Sequence, residues 1–215
     1  MILHLETATK VCSVALSDKG STIAVLEEND ENYSHSEKLT VFIERILHEN
    51  NVEFQQLKAI CVTSGPGSYT GLRIGVSSAK GLCYGLAIPL IAVDALASIA
   101  QQMRRKYPNK KHFAPMIDAR RMEVFSAIYD NQFNVVKPIS ADILTETTYD
   151  DFEDLVVAGD GSEKIKELWE NRPVIIDENI LSSADGQVKL AWEKFQKKEF
   201  EDLAYFEPFY LKDFK

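Results

Sequence analysis

The chain has 215 residues, 45% hydrophobic and 27% charged, which excludes both a disordered polymer and a membrane bundle. At this length roughly 70% of the unfolded chain's surface can be buried, so the core needs no staples. The net charge of −9 excludes a protein that grips nucleic acid unaided, because such a protein neutralises several phosphates with clustered Lys and Arg.

The opening "MILHLET" carries neither a basic n-region nor a long apolar stretch. No signal peptide is expected, and the expected location is the cytoplasm. From Ile2 to Glu28 the pattern reads as three strands, with a turn at Asp18-Lys19-Gly20. Leu39, Phe42, Ile43, Ile46 and Leu47 then follow the i, i+3, i+4, i+7, i+8 spacing of an amphipathic helix over 36–50 that covers one face of a sheet. Next come a buried strand, "KAICVTS", the glycine-rich junction "SGPGSYTGLRIG", a second helix over 69–86, the strand "PLIAV" and a third helix, "DALASIAQQMRRK". Cys12, Cys61 and Cys83 fall in apolar segments without C-x-x-C spacing and read as reduced, buried thiols. The polar segment 107–111 contains a proline and is expected to separate two domains, 1–106 and 112–215.

Beyond it the succession restarts: "FAPMIDA", "MEVFSAIYD", a turn at Asn131-Gln132, "FNVVKP", a helix, the strand "LVVAGD", and another helix, with a further one over 188–197. Two alignments at constant shift indicate a duplication. "ETATKVCSVALSD" lies over "DARRMEVFSAIYD", pairing Glu6 with Asp118 and Ala15 with Ala127. "VTSGPGS" lies over "VVAGDGS", pairing Gly65 with Gly159, Gly67 with Gly161 and Ser68 with Ser162. The fold class expected is α/β: a duplicated actin-like/Hsp70-like (ASKHA) fold of two mixed-sheet subdomains with helices on their faces. That class holds a nucleotide between its halves, but the fold alone does not confer the function.

The glycine-rich junction has no lysine at the Walker A spacing, and Gly71 arrives one residue late for G-x-G-x-x-G. Two readings remain for Gly65, Gly67 and Ser68: a tight strand-to-helix turn capped by Ser68, or a nucleotide contact at a helix N-terminus. Asp118 reads as a structural carboxylate paired with Arg120 or Arg121, with a catalytic base as the alternative. Those arginines, and Arg104 to Lys106 with Lys110 and Lys111, read as solvated faces. His4, His35, His48 and His112 are scattered, and no G-x-S-x-G elbow appears, so neither a zinc protease nor a serine nucleophile is expected.

Five strings in order point to a family. "LHLETATKVCSVAL", "HSEKL", "SGPGSYTGLRIG", "DARRMEVF" and "EPFYLK" resemble the TsaB (YeaZ) family over almost the whole chain, from Leu3 to Lys212. One departure is Glu6, where the family usually carries Asp, which makes a phosphate or metal task for that loop less expected. The related TsaD proteins carry a histidine pair for iron or zinc, and that pair is absent here. The resemblance implies a non-catalytic subunit with no cofactor of its own, paired with TsaD and working with TsaE and a TsaC-type synthase. That synthase makes threonylcarbamoyl-AMP from threonine, bicarbonate and ATP, and TsaD carries out the transfer to the adenosine beside the tRNA anticodon (t6A at position 37). It further implies that tRNA is met only through the complex, and that ATP or ADP binds only in the assembly.

The second helix supplies a reason for partnership, since it is apolar or small nearly all round and has G-x-x-x-G spacings at 71/75 and 81/85. Arg73 and Lys80 argue against a membrane span. The expected interface comprises Leu72, Ile74, Gly75, Ala79, Leu82 and Leu86 with Phe42 and Ile46 of the first helix, facing TsaD or a second copy of the chain. The rival reading is a stand-alone ATP-dependent phosphotransferase of the actin-like class.

Overall fold

The computed structural model describes residues 1–29 and 35–212. Strands β1 (Ile2–Glu6), β2 (Val11–Asp18) and β3 (Ser21–Asn29) pair antiparallel. Helix α1 (His35–Glu49) follows, then β4 (Ala59–Gly65) beside β1, α2 (Tyr69–Leu86), and β5 (Leu90–Asp94) beside β4, both strands running parallel to their neighbours. The sheet order is β3-β2-β1-β4-β5.

After α3 (Ala95–Lys106) the pattern repeats: β6 (His112–Asp118), β7 (Glu123–Asp130), β8 (Val135–Ile143), β9 (Leu155–Ala158) and β10 (Ile175–Asp177) form a sheet of order β10-β9-β6-β7-β8. Read from the other edge this is the first sheet's order, so the duplication seen in the sequence is present strand for strand. Gly65 and Gly159, paired by that alignment, both have left-handed φ values, 118° and 103°.

The first sheet is covered on both faces, which is why β2 is buried at seven of its eight positions rather than alternating. On one face Leu3, Leu5, Val14 and Leu16 pack with Leu39, Phe42 and Ile46 of α1 and Val76 and Cys83 of α2. On the other, Ile2, Cys61 and Val93 pack against Ala191 of α4 (Val188–Lys197), while Ala15 meets Ala184 and Val188.

Ser68 caps α2 by accepting from the Gly71 N–H at 3.3 Å, and Asp94 caps α3 by accepting from the Ala97 N–H at 2.8 Å. Each puts a side-chain oxygen on an otherwise orphaned first-turn donor.

The second repeat has shed its helices. Residues 144–154 form turns, where Thr145, Thr147 and Thr148 hydroxyls bond one another and the local backbone, a competition that disfavours helix. After β9 only a 3₁₀ turn, Ser162–Ile165, precedes further turns. Unlike Ser68, with which the alignment pairs it, Ser162 caps no helix there. Its hydroxyl instead donates to the Gly159 carbonyl at 2.7 Å. The core of this repeat comes from Met116, Val124, Ile128, Tyr149, Val157 and Trp169.

Contacts divide the chain differently from the expected 1–106 and 112–215. One unit is Met1–Ser98 with Ser182–Tyr210, and the other is Ile99–Leu181 with 211–215, of which the last three residues lie outside those described. The reason is that α4 and the segment after it are apolar on the side facing the first sheet, and Glu201 even pairs with Leu90 as an antiparallel bridge.

All three cysteines are free and buried. Burial pushes the Cys12 and Cys83 thiols up to about 11 and Cys61 higher still. At pH 8 the folded protein should therefore show no thiol reacting with an aromatic disulfide reagent within minutes, and three after unfolding in guanidinium. One fast-reacting thiol in the folded state would contradict this.

Candidate functional site

The glycine-rich junction is filled from within. A side chain on Gly67 would meet the Ala8 carbonyl oxygen at 2.3 Å, one on Gly71 the Thr7 carbonyl oxygen at 2.1 Å, and one on Gly75 the Thr7 hydroxyl at 2.3 Å. Three glycines spaced four apart thus form one groove along the start of α2, and the turn between β1 and β2 lies in it. Two hydrogen bonds hold it there: Thr7 Oγ1 donates to the Gly71 carbonyl at 2.8 Å, and the Ser68 N–H donates to the Ala8 carbonyl at 2.6 Å.

The fourth glycine of the stretch meets another part of the same unit. Gly65, with its left-handed φ, leaves room for the Phe209 carbonyl, which a Cβ would approach to 2.4 Å, and the Phe209 N–H donates to the Ser64 carbonyl at 2.7 Å. Residues 202–210 run on as a strap along α2. Lys80 Nζ donates to the Ala204 and Phe206 carbonyls, Tyr69 stacks on Tyr210 at 4.1 Å, and the Arg73 guanidinium lies over both rings. The positions offered for nucleotide contact, Gly65, Gly67 and Ser68, therefore face the chain's own carbonyls.

The expected interface needs correction on the same ground. Leu72, Gly75 and Ala79 of α2 and Phe42 and Ile46 of α1 are buried within the chain. Ile74, Leu82 and Leu86 are half-buried against the first core. The helix does have two sides to cover, but α1, the strap and the Thr7–Ala8 turn cover much of the second.

What remains outward is a stripe of Thr70, Arg73, Ser77, Gly81, Tyr84 and Gly85. It is small and polar rather than apolar, with the Tyr84 ring 83% exposed. A Cβ on Gly81 or Gly85 would have no atom within 4 Å, so this G-x-x-x-G pair is open where the 71/75 pair is filled.

At the carboxyl ends of β1 and β5 two acids, buried Glu6 and half-buried Asp94, are already occupied. Glu6 accepts from the Ala8 N–H at 2.8 Å, from Thr63 Oγ1 and from Gln187 Nε2 at 3.3 Å. Burial pushes the Glu6 carboxyl above its usual range and Asp94 up to about 6. The Glu6 counterpart in the second repeat, Asp118, is exposed. It accepts from Lys164 Nζ at 2.7 Å and from the Arg120 backbone N–H, not from an arginine side chain. Among the described residues no group of three His, Cys, Asp or Glu side chains is placed to hold a metal ion. His4 is buried beside Ser17 Oγ at 2.7 Å, and burial lowers it to about 3.

The glycines make opposite demands on substitution. Gly71→Ala and Gly75→Ala should each destabilise the chain by about 2–3 kcal/mol in urea titrations, whereas Gly81→Ala should add roughly 0.5–1 kcal/mol. Equal effects at the two ends of α2 would refute the groove.

Asp94 binds its proton more tightly folded than unfolded, so its contribution to stability is full below the unfolded value and lost as pH rises through about 6. Asp94→Asn should accordingly raise the unfolding free energy at pH 7.5 by on the order of 1–3 kcal/mol in urea titrations, with the gain vanishing near pH 4.

Comparison with known proteins places this architecture. The family model described as TsaD, tRNA N6-adenosine threonylcarbamoyltransferase, matches residues 30–215. The chain is 29% identical to tRNA threonylcarbamoyladenosine biosynthesis protein TsaB of Escherichia coli strain K12, over 99% of this chain and 94% of that protein. It superposes on YeaZ from Pseudomonas aeruginosa with a TM-score of 0.84 at 29% identity, covering 98% and 99% of the two chains. A more distant structure, ethanolamine utilization protein EutJ from Carboxydothermus hydrogenoformans, shares the fold at TM-score 0.54 and 9% identity over 87% and 88%. The two mixed five-stranded sheets are those of the actin-like ASKHA fold, and the chain belongs to the TsaD-type threonylcarbamoyltransferase family, on its TsaB (YeaZ) branch.

Proposed function

We propose that the chain is a non-catalytic subunit of the machinery that installs threonylcarbamoyl on tRNA, and that it docks a TsaD-type transferase through the outward stripe of α2. The observation that carries this is the division of α2 itself. The glycine face of its first turns is closed by the chain's own Thr7–Ala8 turn, while its last two turns present Gly81 and Gly85 with open space beside a bare tyrosine. Small residues let a second helix come close, and a tyrosine at the rim is a common anchor of such contacts.

The non-catalytic part of the reading is supported by the buried acids. The Glu6 carboxylate spends its oxygens on Ala8, Thr63 and Gln187, and the junction's N–H groups at Ser68 and Gly71 are taken by Ala8 and by Ser68 itself. A nucleotide phosphate needs free donors. We accordingly assign ATP or ADP to the assembled complex rather than to this chain, with TsaE and a TsaC-type synthase as functional partners and tRNA reached through the complex. In the absence of TsaD the same stripe would pair two copies of this chain. No helix among the described residues is long and apolar enough to cross a membrane, which fits work in the cytoplasm.

Gly81→Arg and Gly85→Arg place a long side chain in the open notch without touching the core. Each should weaken association with a TsaD-type subunit at least tenfold in sedimentation or calorimetry, while the unfolding midpoint of the isolated chain stays within a degree or two. Undiminished association, or ATP turnover by the isolated chain that Asp118→Asn abolishes, would overturn the reading in favour of a stand-alone phosphotransferase.

A further inference from the structure

We infer that the tip of the β6–β7 hairpin, Arg120 and Arg121, grips phosphate groups of the RNA backbone. The inference rests on the proposed role in tRNA modification, and it concerns a surface of the second contact unit rather than the stripe on α2.

Both arginines are exposed, and both have left-handed backbone conformations, φ 71° and 49°. Residues with a Cβ rarely adopt that region, and two in succession cost stability that glycine or asparagine would not. The tip is nevertheless well fixed: the Ala119 N–H donates to the Glu123 carbonyl, the Glu123 N–H to the Arg120 carbonyl, and the Arg120 N–H to Asp118 Oδ1. A strained, rigid turn that presents two bulky cations asks for a reason other than turning.

Charge gives the reason its chemistry. Around the tip, Lys164 pairs with Asp118 and Lys212 with Glu123, and Asp160 accepts from the Asp118 N–H. Farther off in the same unit Lys106, Lys110, Lys111, Lys137, Lys166 and Arg172 each pair with a carboxylate, and Arg104 lies over the Phe133 ring. Neither Arg120 nor Arg121 has a carboxylate or aromatic partner among the described residues. Asp118 and Glu123 are thus spent on lysines, leaving two uncompensated guanidinium groups on consecutive residues. Planar, five-donor guanidinium groups match phosphate oxygens bidentately, and adjacent ones suit adjacent phosphates of a polymer. The chain's net charge of −9 repels free RNA, so the contact forms only when a partner brings the RNA close. That combination confines tRNA binding to the assembled complex.

The test uses the full chain assembled with a TsaD-type subunit and labelled tRNA titrated between 50 and 200 mM salt. Arg120→Gln with Arg121→Gln should leave assembly intact, lower tRNA affinity on the order of tenfold at the low-salt end, and flatten the logarithmic salt slope by about 1.5. Arg120→Lys with Arg121→Lys should restore most of the slope. Arg120→Gly with Arg121→Gly should bind tRNA as poorly as the glutamine pair yet unfold at an equal or higher denaturant concentration, which separates binding from stability. Unchanged affinity and slope in an assembled glutamine variant would overturn the assignment while leaving the subunit reading standing. Loss of assembly in that variant would reassign the arginines to a protein contact, and lost ATP binding with intact tRNA binding would reassign them to a nucleotide. A parent chain that fails to assemble at all fails the subunit reading, seen before tRNA is added, and takes this inference with it.

Discussion

One close approach organises the first unit: the backbone of Thr7 and Ala8 lying in the groove of Gly67, Gly71 and Gly75. Carbonyl oxygens and a hydroxyl sit where side-chain carbons would be, so the crossing exists only because those three positions have none. It ties the β1–β2 turn to α2 through the Thr7 hydroxyl and the Ser68 N–H. Once that turn is fixed, Glu6 at its base is fixed too, and Thr63 and Gln187 close over the carboxylate. The carboxyl end of β1 becomes ordinary interior.

The same crossing decides what α2 can offer to a partner. Its amino-terminal glycines are consumed internally, and its apolar residues Val76, Ala79 and Cys83 face the sheet core. The strap 202–210 then occupies one flank, held by Lys80 and by the Tyr69–Tyr210 stack. Only the carboxyl-terminal half keeps an open small-residue face. A helix that reads as uniformly greasy is in fact two surfaces, one spent on folding and one left over.

Much of this was legible in the letters. The succession of elements in the first half, the duplication, α2 at Tyr69–Leu86 and the cap at Ser68 follow from periodicity and local chemistry, which depend on neighbours in sequence. What escaped depends on who packs against whom. Gly71–Gly75 and Gly81–Gly85 are the same spacing in sequence, and nothing local says that one pair meets Thr7 while the other meets no atom. Phe42 and Ile46 fit either a sheet or a partner, and the sheet has the prior claim because it is tethered. The return of α4 to the first sheet was equally invisible, since its apolar face names no destination. Arg120 and Arg121 read as solvated charge because neither their backbone strain nor the pairing of the lysines around them is written in sequence.

The second repeat shows that the glycines answer to architecture before function. Gly159 and Gly161 occupy the positions of Gly65 and Gly67, and a Cβ there would meet the Met116 carbonyl at 2.1 Å and the Val124 side chain at 2.9 Å, with the Asp118 N–H at 3.1 Å. This repeat has no long helix after its glycines and no Thr7-like turn to seat, yet it keeps them. What the copies share is a glycine set against the chain as it leaves the first strand, Gly67 beside Ala8 and Gly161 beside Ile117 and Asp118. Both copies keep that glycine, so in this chain a glycine-rich junction does not by itself mark a phosphate site. The functional signal lies instead where the copies differ: an α2 with an unfilled notch in the first, and a hairpin tip bearing two arginines without carboxylate partners in the second.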